Sequence, residues 1–344
     1  MATAYCNAFF ESIPGNETNV PTSSAKVIYF PATQFTPGLN PSPLDRNDEI
    51  RNLDEPLMLV PEHYAPEWSL ETRNYPDSLA FLMKMILGAP VTTAGNGVIT
   101  DPDSATIPAT AYRHVWTAPF GPAGASPMTA QLRAAYKDQT TFFKMKGAAC
   151  QTLSLTTPET GGGRLAASGP ALYMAREADP SLTPTYESLL IPPFLRRNLT
   201  VPTWLSGGAT SIEDFSVTIT NPVEPYSSLG IASAYPDVME KGEAPITFTG
   251  SIPKRQLDPD DYDALVASTG FAAKAKWIST KVIAATAYFY SAWIEFDNAQ
   301  YTTGGPVPLE NKRRHGGTFD FAATSDGAGA SATVTIVNAT ASYN

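Results

Sequence analysis

Cysteine, histidine and basic charge are all scarce in this sequence, and each scarcity removes a class of function. Of 344 residues only Cys6 and Cys150 are cysteine. Neither sits in a CxxC or zinc-ligand spacing, so neither a disulfide framework nor a zinc site is expected. The histidines, His63, His114 and His315, form no HxxxH or HExxH pattern, and each reads as an ordinary polar or packing residue. Lys and Arg number 23 against 33 Asp and Glu, for a net charge of −10. Tight binding of nucleic acid needs cations to displace phosphate counterions, so firm attachment to DNA or to an anionic membrane is disfavoured. The lone basic cluster, Lys312, Arg313, Arg314 and His315, reads as a solvated loop or an ion-pair partner for an acidic surface. Long apolar runs are missing too. The longest, Leu79–Leu87, is interrupted by Lys84 and falls short of the ~20 residues a membrane span needs. The opening MATAYCNAFFESIPGN lacks the basic start and apolar core of a secretion signal. Synthesis in the cytoplasm without membrane insertion is the expectation.

Motifs for catalysis or cofactor binding are missing as well. No Ser sits in a GxSxG elbow. Gly161–Gly163 lacks the Lys-Ser/Thr of a phosphate loop and joins two strands. Asp101-Pro102-Asp103 lacks the rest of a calcium loop and reads as a solvated turn. Asp258, Asp260, Asp261 and Asp263 cluster where acidic residues complement the N-terminus of a helix. No enzymatic activity and no cofactor are expected. A carbohydrate-active β-sandwich enzyme would need two carboxylates across a cleft, of which the sequence gives no sign.

Glycine (24) and proline (31) are plentiful, which favours short strands and many turns. The order of elements occurs twice. In the first half a strand from Lys26 to Phe30 runs on toward Phe35. A Pro- and acid-rich loop spans Thr36–Pro66. The alternating strand Glu67–Arg73 follows, and then a helix, Asp77–Leu87, stopped by Gly88 and Pro90. In the second half Phe215, Val217 and Ile219 alternate with Ser216, Thr218 and Thr220. A loop over Asn221–Ala244, a strand at Ile246–Thr249 and a helix from Pro259 to Thr269 come next. Both halves close with strands: Ala130–Tyr136, Thr141–Lys146, Gln151–Thr156 and Arg164–Ser168 in the first; Tyr288–Phe296, Thr318–Ala323 and Ala332–Asn338 in the second. The expected fold is mainly β: two tandem sandwich or barrel domains, each with one packed α-helix. Residues 1–175 and 209–344 form the domains, joined by an extended, irregular Pro-rich linker, 176–208.

The stretches EWSLETRNYPDSLAFLMKMILG, CQTLSLTTPETGGGRLAASG and EAPITFTGSIPKRQLDPDDYDAL carry a resemblance to a known family, the tail tube proteins of long-tailed phages. It lies in the order and style of elements over nearly the whole chain. The resemblance implies β-sandwiches that close into six-membered rings, with inner sheets joined edge to edge around a lumen. It implies a virion protein, assembled in the host cytoplasm, that polymerises with itself. Tape-measure, tail-tip and tail-terminator proteins would be its partners, and double-stranded DNA would pass through without tight binding. Two such domains in one chain depart from the family pattern. A trimer per ring with pseudo-sixfold symmetry reconciles them; six chains would be needed if the second domain decorated the exterior. The other reading is a different virion component: a decoration, baseplate or fibre protein.

Two sets of residues carry this expectation. The polar faces Thr152, Ser154 and Thr156; Ser216, Thr218 and Thr220; and Asp320 are candidates to line the lumen, against the plain reading of solvent-facing surface. The loop 36–66 is the candidate for ring stacking, against packing on its own domain. Its charges Asp45, Arg46, Asp48, Glu49, Arg51, Asp54 and Glu55 and its apolar Leu53, Leu57 and Leu59 are the residues singled out.

Overall fold

The computed structural model describes residues 5–10, 27–43, 61–118, 127–135, 141–158, 162–178, 185–186, 191–205, 212–228, 233–255, 259–284, 286–306, 317–324 and 331–343. The first half contains β1 (Tyr5–Phe10), β2 (Ile28–Phe30), β3 (Ala32–Gly38), β4 (Pro41–Pro43), β5 (Pro61–Tyr64), β6 (Glu67–Arg73) and helix α1 (Pro76–Leu87). These are followed by β7 (Val91–Ala94), β8 (Tyr112–Thr117), β9 (Ala130–Ala135), β10 (Thr141–Ala148), β11 (Thr152–Thr156), β12 (Arg164–Pro170) and β13 (Tyr173–Ala178). The second half contains β14 (Leu199–Thr203), β15 (Ser216–Thr220), β16 (Val223–Tyr226), β17 (Val238–Lys241), β18 (Thr247–Lys254) and helix α2 (Pro259–Ala267). It closes with β19 (Phe271–Val282), β20 (Phe289–Pro306), β21 (Gly317–Ala323) and β22 (Thr333–Asn338). The protein is mainly β, as expected, and its strand pairs are antiparallel.

One large sheet runs through both halves in the order β3-β6-β12-β11-β15-β18-β21-β20-β22-β8-β7, with β19 on the other side of β20 and β14 beyond it. A smaller sheet, β13-β10-β9-β1-β2, belongs to the first half. The alternation read in β6 holds: Trp68, Leu70 and Thr72 are buried while Glu67, Glu71 and Arg73 are exposed. Together with Leu153, Leu155, Leu165, Val217, Ile219, Phe248, Phe319 and Phe321 they face one core. Two glycines admit aromatic rings there. A side chain at Gly250 would meet the Phe321 ring at 2.5 Å, and one at Gly304 would meet Phe319 at 2.4 Å.

Helix α1 starts with Pro76 and stops at Gly88, whose φ of 90° suits glycine. It is buried almost all round, packed on β2 and β11 of the first half and on β20 and β22 of the second. The second half hydrogen-bonds it near both ends. Thr340 and Tyr343 hydroxyls donate to Asp77 in its first turn, and the Asn221 amide donates to the Ile86 carbonyl at 2.9 Å. The Trp116 indole, on β8, donates to the Gly88 carbonyl.

Several expectations need correction. The strand read from Lys26 toward Phe35 is two strands in different sheets: Pro31, which has no N–H to donate, separates β2 from β3. Lys26 lies outside the described residues. The stretch read as an irregular linker begins inside β13 and contains β14, which pairs with β19. The loop 36–66 starts within β3, and its ends pair as the ribbon β4–β5; the matching loop after β15 forms the ribbon β16–β17.

The Asp101-Pro102-Asp103 turn is a clamp rather than a freely solvated turn. Asp101 is buried and accepts from the Asp103 and Ala105 amides and from the Tyr288 hydroxyl. Asp103 accepts from Lys274 and Lys276 on β19, both at 2.8 Å, and from the Trp293 indole at 3.2 Å. The excursion between β7 and β8 is thereby fastened to the outer face of the second half. Partial burial opposes ionisation of Asp103, but these donors and the lysine charges outweigh it and hold its pKa at about 2. Because the folded value lies below the unfolded one, the clamp's contribution is complete above about pH 4 and fades as pH falls through about 2. Asp103→Asn should lose about 1–2 kcal/mol at neutral pH, solvent screening at this turn considered. Denaturant titrations from pH 7 to pH 2 should show the gap between variant and wild type closing in acid.

A polar sheet face with open edges as the candidate functional site

Eight strands, β3-β6-β12-β11-β15-β18-β21-β20, present their second face away from the core. Cross-strand register aligns its side chains in rows. One row runs Thr36, Ser69, Ser168, Thr152, Thr220, Thr247. The next runs Gln34, Glu71, Ala166, Ser154, Thr218, Thr249, Ala322, Gln300. A third runs Arg73, Arg164, Thr156, Ser216, Ser251, Asp320, Thr303. The surface is mostly hydroxyl, with Glu67, Glu71 and Asp320 set against Arg73 and Arg164. Ser154 and Thr218 hydroxyls meet at 2.8 Å across the line where the halves join.

That line is an edge-to-edge strand pair. β11 and β15 pair from Thr152↔Thr220 to Thr156↔Ser216, so the sheet crosses from one half to the other without a break. On either side the strand order matches: β3-β6-β12-β11, then β15-β18-β21-β20. The strip leaves two edges open. Among the described residues β3 pairs only with β6. β19 follows β20 only as far as Ala299, beyond which β20 pairs with β21 on one side alone.

A family model described as phage tail tube protein matches residues 10–323. The chain belongs to the phage tail tube protein family. Membership makes it a structural component of the virion tail that assembles with itself into a tube. A search of curated proteins gives no match.

In the tail tube protein all seven hydroxyl and carboxylate residues singled out from the sequence, Thr152, Ser154, Thr156, Ser216, Thr218, Thr220 and Asp320, share this one face. Sequence reading missed their neighbours on β3 and β18, where Gln34, Thr36, Thr249 and Ser251 extend the rows. The loop residues Asp45, Arg46, Asp48, Glu49, Arg51, Leu53, Asp54, Glu55, Leu57 and Leu59 lie outside the described residues, as do Lys312–His315. The stem of that loop is placed: Tyr64 stacks on Tyr235 with ring centroids 4.9 Å apart, and its amide donates to the Ala234 carbonyl. Both ribbons therefore emerge side by side at one end of the strip. Glu62, Glu67, Glu224, Glu240 and Glu243, with Lys241 among them, gather at that end; Arg73, Arg164, Arg196, Arg197 and Arg255 gather at the other, where Arg255 pairs with Glu213 at 3.1 Å.

Helix α2 is anchored beside the open edge of β20. Asp261, fully buried, accepts from Lys254 at 2.6 Å through both oxygens and from the Tyr301 hydroxyl at 2.7 Å; the Trp204 indole donates to that hydroxyl. Of the acidic cluster at this helix, Asp261 is thus a core ion-pair partner rather than a surface charge; Asp258 lies outside the described residues. Asp261→Ala would strand Lys254 in the core and should cost about 3–5 kcal/mol. Chemical denaturation should show most of that loss recovered in the Lys254→Met/Asp261→Leu double variant.

Proposed function

We propose that three copies of this chain close into one ring of the tail tube, with the polar sheet face lining the lumen through which the genome passes. The supporting observation is the continuous β11–β15 junction: it joins two strips of matching strand order, and the open β20 and β3 edges are what a copy of that junction between chains would use. On this reading each chain carries two tube domains, residues 1–175 and 209–344, and the ring repeats six times with only three chains. Strand arithmetic favours it. A closed barrel of eight strands has an interior filled by its own side chains. Three chains supply twenty-four strands, and at ~4.8 Å spacing a barrel of that size is roughly 40 Å across its backbone. A hydroxyl-rich wall with nearly balanced charge offers DNA little counterion release, so the duplex slides.

Rings stack head to tail in this scheme, the carboxylate-rich ribbon end of one against the arginine-rich end of the next. The loop between β4 and β5, which carries Asp45–Leu59, is the stacking element of this scheme. Contacts of this kind weaken with salt, since the screening length is ~8 Å at physiological ionic strength. Tape-measure, tail-tip and terminator proteins are the expected partners inside the tube and at its ends. The protein's role is structural, with no catalytic step.

Negative-stain electron microscopy of the concentrated chain, with tail initiator proteins added, tests this. Tubes whose end-on averages show threefold modulation are expected; a chain that stays monomeric even with initiators present would overturn the tube reading. The junction between copies is tested directly by a disulfide. Thr218 lies two residues before the end of β15, as Thr36 does in β3. Ser154 lies six residues beyond the Ala148 ladder pair, as Gly305 does beyond Ala299. Gly305→Cys with Thr36→Cys should therefore cross-link chains into closed trimers on oxidation.

The wall is tested by Ser154→Lys/Thr218→Lys. Tubes should still form, but they should retain DNA fragments, with binding that falls by about 0.9 log units per log of salt for each phosphate neutralised. Wild-type tubes should retain none.

A further inference from the structure

The two helices occupy corresponding places in the two strips, yet their surroundings differ. Helix α1 packs onto the next half, against β20 and β22, and is buried almost all round. Helix α2 buries only Asp261 and Ala264. Its outward face carries Tyr262, 57% exposed, and Val266, 67% exposed. These stand one turn apart on a single helix face, and Asp263 is exposed with them. Large apolar side chains paired on an exposed helix mark a contact surface more often than chance placement does.

The surface that would receive this face can be found by counting. Phe143 in β10 lies five residues before the Ala148 ladder pair, as Ile294 in β20 lies five before Ala299. Phe143 pairs with Arg176, and Ile294 pairs with Val334. Val334 is 1% exposed, in the same core cluster as α1. At the corresponding position Arg176 is exposed, Phe143 is partly buried, and Met174 is partly buried at the margin of the same core. The extensive helix contacts of this chain go to β2, β11, β20 and β22, not to β10 or β13. Where an apolar helix covers a valine in one half, the other half presents an exposed arginine, opposite in charge to the acidic face of α2.

We propose that α2 docks on the β10–β13 face of the next copy of this chain, Tyr262 and Val266 against Met174 and Phe143 with Asp263 beside Arg176. The inference rests on the ring reading above and gives that ring a second contact, on the outer side of its wall. It repeats between chains what α1 does within one, with a polar, charge-matched surface in place of an apolar one.

Two variants test it in the full chain. Val266→Cys with Met174→Cys should form an interchain disulfide on oxidation of assembled tubes. The native thiols will not compete: Cys6 and Cys150 are buried, and burial pushes both thiol pKa values up. Arg176→Glu, once circular dichroism shows its fold unchanged, should cut tube yield roughly tenfold through like-charge contact. Adding Asp263→Lys should restore it. If tubes form with the Gly305–Thr36 disulfide but without the Val266–Met174 one, and Arg176→Glu assembles normally, the docking inference is overturned and the ring stands. Absence of tubes and of both disulfides overturns both.

Discussion

Everything distinctive about this protein follows from how it disposes of strand edges. A strand at the edge of a sheet holds a row of unpaired N–H and C=O groups, and folded monomers ordinarily block or cover them. Here one edge from each half is satisfied by the other, through the five paired positions of β11 and β15. The pairing fixes register, and register fixes which face each side chain takes, because a slip of one residue would turn every hydroxyl into the core. The polar rows across eight strands are thus a consequence of the junction, not an independent feature. The same logic leaves β3 and the far end of β20 as open edges among the described residues, the edges that the proposed ring would pair between copies.

Between the sheets, packing holds the two halves in one relative position. Helix α1 is the central wedge: its apolar surface fills the space between β2 and β11 on one side and β20 and β22 on the other. Residues of the second half bind it near both ends: Asn221 donates to the Ile86 carbonyl, and Thr340 and Tyr343 donate to the Asp77 carboxylate. The β7–β8 excursion then reaches over to pair with β22, and Asp103 fastens it to the lysines of β19. Burial of this extent leaves the internal junction little freedom to hinge.

The sequence made the strands of the polar sheet face legible because each has one dry and one wet face. β6, β11, β12, β15 and β21 alternate clearly, and all were placed to within a few residues. The strands that escaped are those where alternation fails for a physical reason. β1 is buried on both faces from Cys6 to Phe10. In β19 the inward positions Ala273 and Ala275 are small and carry little hydrophobic contrast. β8 hides a fully buried His114, held by Thr92, Asn338 and Thr340, so its sequence looks polar where its environment is not; burial lowers the pKa of that histidine, keeping it neutral. The pairing of β11 with β15 was not legible, since partners 64 positions apart leave no local trace. Nor was the fate of Asp261. An acidic residue in the first turn of a helix has a sufficient explanation in the helix dipole, and only the fold brings Lys254 and Tyr301 to it.

If one chain joins two tube domains, as proposed, its internal and external junctions must tolerate different things. A junction formed within the chain is made on folding, at high effective concentration, and never meets solvent as a separate surface. It can be largely apolar, which is how α1 is built. A junction between chains must first exist as two exposed surfaces on a monomer that has to remain dispersed until assembly begins. Charge and scattered rather than continuous apolar groups suit that state, which is how α2 and Arg176 are built. The contrast between the helices, from Leu79, Phe81 and Met83 on one to Tyr262, Asp263 and Val266 on the other, is what two junctions of the same geometry would acquire if one is closed by folding and the other by assembly.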